Sequence, residues 1–202
     1  MRKLFTALTL ALCVSFAAPQ AAAQFVLLPY LGYNTGTGFD TDSNDFNDTA
    51  GGFLIGIGTE FPLPLEAPVV LVVRPSVEVV LLPGEEEGGD EFSQTYFQIN
   101  GDVVAKFAQP SGFTPFAGAG IAFGILTTSS EIGGSSNDES GSGFGFNVLG
   151  GIEFVNALPF GSPFVQVRYT FLEVEFETAG IEINKDSGGL AVVGGVAIPL
   201  GN

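Results

Sequence analysis

The sequence predicts an all-β protein: an eight-stranded antiparallel up-and-down transmembrane β-barrel preceded by a cleaved signal peptide. Three observations lead there. Strand-length segments alternate polar and apolar residues at period two. The connections between them alternate long with short, as in a barrel with one ornate rim and one plain rim. The apolar parity excludes charge, while the polar parity mixes charges with glycines. The segment 94–107 shows the alternation most plainly. Gln94, Tyr96, Gln98, Asn100, Asp102, Val104 and Lys106 fall on one face, and Thr95, Phe97, Ile99, Gly101, Val103, Ala105 and Phe107 on the other.

The first 23 residues read as an export signal. Arg2 and Lys3 form a basic start, residues 4–18 an apolar centre, and Ala21, Ala22 and Ala23 a small-residue cleavage site. The domain plan is therefore a signal peptide at 1–23 and a barrel domain at 24–202. Cys13, the one cysteine of the chain, leaves with the signal, so the mature chain has no disulfide and no thiol chemistry. The chain has 202 residues, 46% of them apolar, with mean hydropathy +0.39. Yet past residue 24 no uninterrupted apolar run approaches the roughly 20 residues of a membrane helix. High hydropathy diluted by alternation is the mark of a strand-built membrane protein.

Eight strands are expected at 24–33, 51–61, 69–82, 94–107, 114–126, 143–155, 163–176 and 189–200. The connections 34–50, 83–93, 127–142 and 177–188 are acidic and rich in Gly, Ser and Asn, whereas 62–68, 108–113 and 156–162 are short and hold Pro or Gly. The long connections recur with a spacing a propeller would share, but each repeat supplies two strands where a blade needs four. With an export signal, the amino terminus and short turns belong on the periplasmic side and four loops outside the cell. The repeat is visible in residues too: Glu60-Phe61, Lys106-Phe107 and Glu153-Phe154 each end a strand with a charge at polar parity and a Phe at apolar parity. Phe61, Phe107 and Phe154 read as an interfacial aromatic girdle, reinforced by Phe25, Phe113, Phe116, Phe160 and Phe164.

Periodicity alone does not say which wall faces inward. Gly56, Gly58, Gly118, Gly120, Ala122, Gly124, Gly145, Gly151, Ala191, Gly195 and Ala197 stand at the polar parity. On the wet face of a soluble sheet they would only weaken strands. Inside a narrow barrel they make room for long side chains crossing from opposite strands. The apolar parity carries no Lys, Arg, Asp or Glu within the expected span, as lipid exposure requires, since a midplane Arg or Lys there costs about 2–4 kcal/mol. Two features resist. Pro75 implies a bulge or a lost ladder bond, and Glu173 and Glu175 sit at lipid-facing parity, so that strand has left the bilayer by Glu173 or contains a bulge.

At lumen parity lie Glu60, Glu78, Asp102 and Glu153 against Arg74, Lys106 and Arg168, the candidate ion-pair network. Arg74, Asp102 and Arg168 are expected near mid-barrel, and Glu60, Lys106 and Glu153 near the periplasmic end. Such a network is either a gate that opens by exchanging partners or a plug that holds strand register. Eight strands leave little free bore, which favours the plug. With no His and no mature Cys, the Ser-His and Cys-His nucleophile systems and His-ligated zinc are unavailable, so no enzyme, cofactor or metal is expected. The formal charge of −16 becomes −18 once the two charges of Arg2 and Lys3 are removed. This argues against nucleic acid, whose phosphates need clustered Lys and Arg. It fits a hydrated, repulsive exterior or a high-salt habitat. Asp40, Asp42 and Asn44 open like a calcium loop, but Asp45 and Gly51 occupy the positions an EF-hand gives to Gly and Glu. Glu85, Glu86, Glu87, Asp90 and Glu91 form a second acidic cluster, read as a solvated loop or as loose attraction for divalent cations and surface partners.

Thr114-Pro-Phe-Ala-Gly-Ala-Gly-Ile-Ala and Val167-Arg168-Tyr169, together with the signal and the alternating connections, make residues 24–202 resemble the eight-stranded outer-membrane barrel domains of the OmpA and OmpX type. The chain departs from them in its end, Pro199-Leu200-Gly201-Asn202, where the family carries a terminal aromatic, and in having no peptidoglycan-binding domain after the barrel. The resemblance implies a monomer in the outer membrane, surrounded by its lipid, assembled by the barrel-assembly machinery, with a structural or surface-interaction role. The competing readings are a narrow ion-conducting channel and a secreted lipocalin-like carrier of an apolar ligand.

Overall fold

The computed structural model describes residues 25–35, 51–64, 69–82, 86–87, 90–107, 109, 112–132, 135–178, 181–186 and 188–200. The expected export signal, the segment holding Asp40, Asp42 and Asn44, and Glu85 lie outside the described residues. The described strands are β1 (Phe25–Asn34), β2 (Gly52–Pro62), β3 (Val69–Leu82), β4 (Glu86–Glu87), β5 (Asp90–Phe107), β6 (Phe113–Ile132), β7 (Ser135–Phe154), β8 (Ser162–Thr178), β9 (Ile181–Asp186) and β10 (Gly189–Leu200). All but β4 and β9 form the wall of a closed antiparallel barrel, in which β10 completes the ring by pairing with both β1 and β8. Closure leaves no wall strand with an unpaired edge, the condition for spanning hydrocarbon with strands.

The two parities separate as lipid outside and polar groups inside demand. Phe53 is 72% exposed, Ile55, Val103 and Ile121 are also exposed, while Asp102 is 2% exposed. The inward wall is less polar than expected, however. Leu54 pairs with Val80, Val80 with Tyr96 and Tyr96 with Leu126, so an apolar row lines the lumen on β2, β3, β5 and β6 at the long-loop end. Leu28, Val72, Val104, Phe116, Leu149 and Phe164 pack inward at the other end. The ionised groups at mid-barrel are thus flanked by hydrocarbon above and below. Phe116 and Phe164, expected in the girdle, belong to this interior instead. Their even numbering on β6 and β8 matches the inward Thr114 and Gln166, and alternation overrides the aromatic cue. Phe61, Phe107 and Phe154 do face outward, and Phe61 stacks on Phe25 at 6.5 Å.

Both resisting features have one explanation each. The β2–β3 register lapses between Gly58–Ser76 and Phe61–Val73 and resumes in phase, so Pro75 removes ladder bonds without adding a residue. Pro29 has the same effect between β1 and β10. Glu173 remains outward in an unbroken β7–β8 register, so no bulge reverses the strand. Instead β8 continues beyond the barrel and pairs with β9 from Glu173↔Asp186 to Thr178↔Ile181.

Two of the long connections, at 83–93 and 127–142, are shorter than expected because β5, β6 and β7 run past the wall. β6 and β7 pair without interruption out to Ile132↔Ser135, through Thr128↔Glu139, Ser129↔Asp138 and Ser130↔Asn137. Most of the expected loop at 127–142 is therefore a hairpin. Its polar sequence does not end the strand. Likewise β5 begins at Asp90, well before residue 94.

Candidate functional site

The lumen collects the charged residues that the strands carry at inward parity. At the short-turn end, the Lys106 ammonium donates to Glu60 Oε2 at 2.6 Å and to Glu153 Oε2 at 2.7 Å. These are the three charges of the sequence repeat, on β5, β2 and β7. A spacing of 46 or 47 residues brings them together because each full hairpin returns the chain to the same height.

One layer further in, Arg74 donates to Glu60 Oε1 from Nε at 3.1 Å and from Nη2 at 2.5 Å. Its Nη1 donates to Gln166 Oε1 at 2.6 Å, and its guanidinium lies 4.9 Å from the centre of the Phe116 ring. Above it, Arg168 pairs with Glu78, whose other oxygen accepts from the Tyr30 hydroxyl at 3.1 Å. Around the eight-stranded ring β3 and β8 stand opposite one another. The Arg74–Gln166 and Arg168–Glu78 contacts therefore cross the bore. Desolvation offsets much of the attraction in buried ion pairs of this kind, but removing one partner leaves the other charge buried and uncompensated.

A neutral chain of hydrogen bonds continues upward. Tyr96 donates to Gln98 at 2.7 Å, Gln98 to Asn100, Asn100 to Ser76 at 3.3 Å, and Asn147 to Asn100 at 3.2 Å. Gln98, Asn100, Asn147, Gln166, Ser76 and Tyr30 are the members of the network that attention to charge missed. Their polarity at inward parity was the available signal.

Asp102 is placed with the network and has Asn147 as a hydrogen-bonding neighbour, but among the described residues it forms no ion pair. The register sets it directly across from Arg74, yet Arg74 turns to Glu60 and Gln166. Glycine makes the crossing contacts possible. At Gly124 an added Cβ would fall 2.6 Å from both the Tyr96 ring and Leu172, and at Gly120 it would strike the Asp102 carboxylate. Among the described residues no group of three or more carboxylates is gathered to hold a metal ion. The arrangement binds side chains of opposite strands to one another across the bore.

Residues 8–157, more than half of the chain, match the family model for the outer membrane protein beta-barrel domain. The chain belongs to that family. Its barrel is similar in fold to three solved outer-membrane-barrel structures. The Neisserial surface protein A structure aligns at TM-score 0.58 and 16% identity, over 87% of this chain and 96% of that one. OprG, an outer membrane protein from Pseudomonas aeruginosa, aligns at TM-score 0.54 and 11% identity, over 89% and 97%. Ail, the attachment invasion locus protein of Yersinia pestis, in complex with the heparin analogue sucrose octasulfate, aligns at 0.50 and 14%, over 87% and 99%. At these identities the likeness is one of fold. Comparison with curated proteins gave no match. As a member of this family the protein is an outer-membrane barrel, and the apolar parity is its lipid-facing wall.

Proposed function

We propose that this outer-membrane barrel is non-enzymatic: a plugged anchor that holds an acidic crown outside the cell, with a structural and surface-interaction role. The observation that carries the reading is the partition of charge. Four basic residues follow the signal, and three of them, Arg74, Lys106 and Arg168, are inside the lumen. Lys185 alone remains for the long-loop side, against seventeen Asp and Glu residues in or beyond the ends of the strands there. The basic residues are committed to the plug, and the crown is left strongly negative.

A surface of this sign attracts divalent cations or a basic partner and repels polyanions. The heparin analogue seen with the Yersinia pestis barrel is a polyanion, so recognition here follows the opposite charge rule. The other partners on this reading are outer-membrane lipid around the wall and the barrel-assembly machinery during biogenesis, with the barrel acting as a monomer.

Planar-bilayer recording tests the plug. The expected result is no steady current from the reconstituted protein; a steady current that changes in Arg74→Ala contradicts it. Binding of calcium or of a lysine-rich peptide to the bilayer-embedded protein tests the crown. Binding that weakens with added salt is expected, and preferential binding of heparin overturns the charge rule.

A further inference from the structure

Three buried polar atoms in the middle of the lumen have no hydrogen-bond partner among the described residues: Asp102 Oδ1, Asn147 Oδ1 and Arg168 Nε. None of the three residues is more than 2% exposed. Orphans of this kind are uncommon in native proteins and each needs an explanation. Three in one place need a common one.

The register makes them neighbours. Asp102 on β5 pairs with Gly120 on β6, and Gly120 pairs with Asn147 on β7. Asn147 pairs in turn with Thr170 on β8, and Arg168 is the next inward residue of that strand towards the short turns. Between Asp102 and Asn147 only a glycine intervenes, and a Cβ on Gly120 would collide with Asp102 Oδ1. The carboxylate therefore lies across the glycine. The Arg168 charge acts on it, and the Asn147 side chain is within hydrogen-bonding reach of the carboxylate, whose Oδ1 is left without a partner. Two other atoms of these side chains are already engaged: Arg168 Nη2 donates to Glu78 and Asn147 Nδ2 to Asn100.

The free set is two acceptors and one donor, which selects its ligand. A cation would satisfy the oxygens but meet the Arg168 guanidinium. An anion would satisfy the guanidinium but meet the Asp102 carboxylate. An apolar group would satisfy none. Water has two O–H donors and acceptor lone pairs, and buried waters typically make about three hydrogen bonds. We propose that one water molecule is bound at this point, donating to Asp102 Oδ1 and Asn147 Oδ1 and accepting from Arg168 Nε. It explains why Asp102 stands opposite Arg74 without pairing to it. Asp102 becomes a positioning residue for Arg168: the water holds one edge of the guanidinium while Glu78 holds another. The site ties β5, β7 and β8 together across Gly120.

The test is a crystal structure of the wild-type protein from detergent, at a resolution that shows ordered water, alongside Asp102→Asn and Asn147→Leu. The wild type is expected to show one density peak within hydrogen-bonding distance of all three atoms. Asp102→Asn keeps an acceptor oxygen and should keep the peak, whereas Asn147→Leu removes an acceptor, fills the space and should lose it. A direct Asp102–Arg168 bond without a peak, an empty site, or a peak whose short coordination distances and anomalous signal identify a metal ion each overturns the proposal. If Asn147→Leu does not fold, the wild-type density alone decides. The water stands on this geometry, independent of the surface role, and plug closure is judged separately by conductance.

Discussion

Glu60→Gln is the perturbation that most directly measures what the lumen network contributes. Glu60 is 2% exposed and accepts from two cations at once, Arg74 through Oε1 and Lys106 through Oε2. Glutamine keeps the volume but removes the charge and one acceptor oxygen. Removing one partner of a buried ion pair costs about 3–5 kcal/mol. The low end applies here, because Lys106 is 13% exposed and retains Glu153, and Arg74 retains Gln166. The expected loss is therefore about 3 kcal/mol, roughly a hundredfold in the folding equilibrium. The protein has no Trp, so unfolding by urea in lipid vesicles is best followed by far-UV circular dichroism and by the heat-dependent gel mobility of a folded barrel. Glu173→Gln, outward and beyond the wall, is the control and should shift stability by no more than about 0.5 kcal/mol. A double-mutant cycle with Lys106→Met should show coupling of at least about 0.5 kcal/mol. If Glu60→Gln behaves like the control and the cycle shows no coupling, the triad is contact without energetic consequence, and the reasoning from buried charge fails.

Further outcomes follow from the same geometry. Val103→Arg places a charge on the lipid-facing wall and should cost about 2–4 kcal/mol in a folding titration into bilayers, whereas an outward Val103→Leu should be nearly neutral. Gly120→Val drives a branched side chain into Asp102 and the Gly101 carbonyl and should destabilise by about 1–3 kcal/mol; a neutral result would mean that the carboxylate does not lie across the glycine. Spin labels at Ile55, Val103 and Val167 should report lipid contact and restricted water access, and labels there that report bulk water would reverse the assignment of the two walls. Replacing residues 128–139 by a short Gly-containing turn should leave a heat-modifiable barrel, because the pairs removed lie beyond the apolar row at Leu126. Loss of folding in that variant would place the hairpin among the elements that hold the wall.

Which face of each strand met lipid was legible from the residues. The exclusion of charge from the apolar parity and the concentration of small residues at the polar one each have a single physical cause in a narrow barrel. The triad of Lys106, Glu60 and Glu153 was half legible. Their repeat was visible, but parity and height place three charges at one level without saying which of them touch. The extended β6–β7 hairpin was hidden because Ser, Thr, Asp and Glu beyond the bilayer look the same in a wet strand and in a loop. Phe116 and Phe164 were misassigned because aromatic residues suit an interface and an interior equally well.

What the sequence by itself determined is the period of alternation, the sign of each wall and the number of passes, since these depend on neighbours two residues apart and on the burial each residue type tolerates. Only the tertiary structure decided the partners. Arg74 turned from the Asp102 facing it to Glu60 and to Gln166 across the bore, because a closed ring brings opposite strands within a side chain's reach, and pairing there depends on shear and curvature that no local pattern encodes.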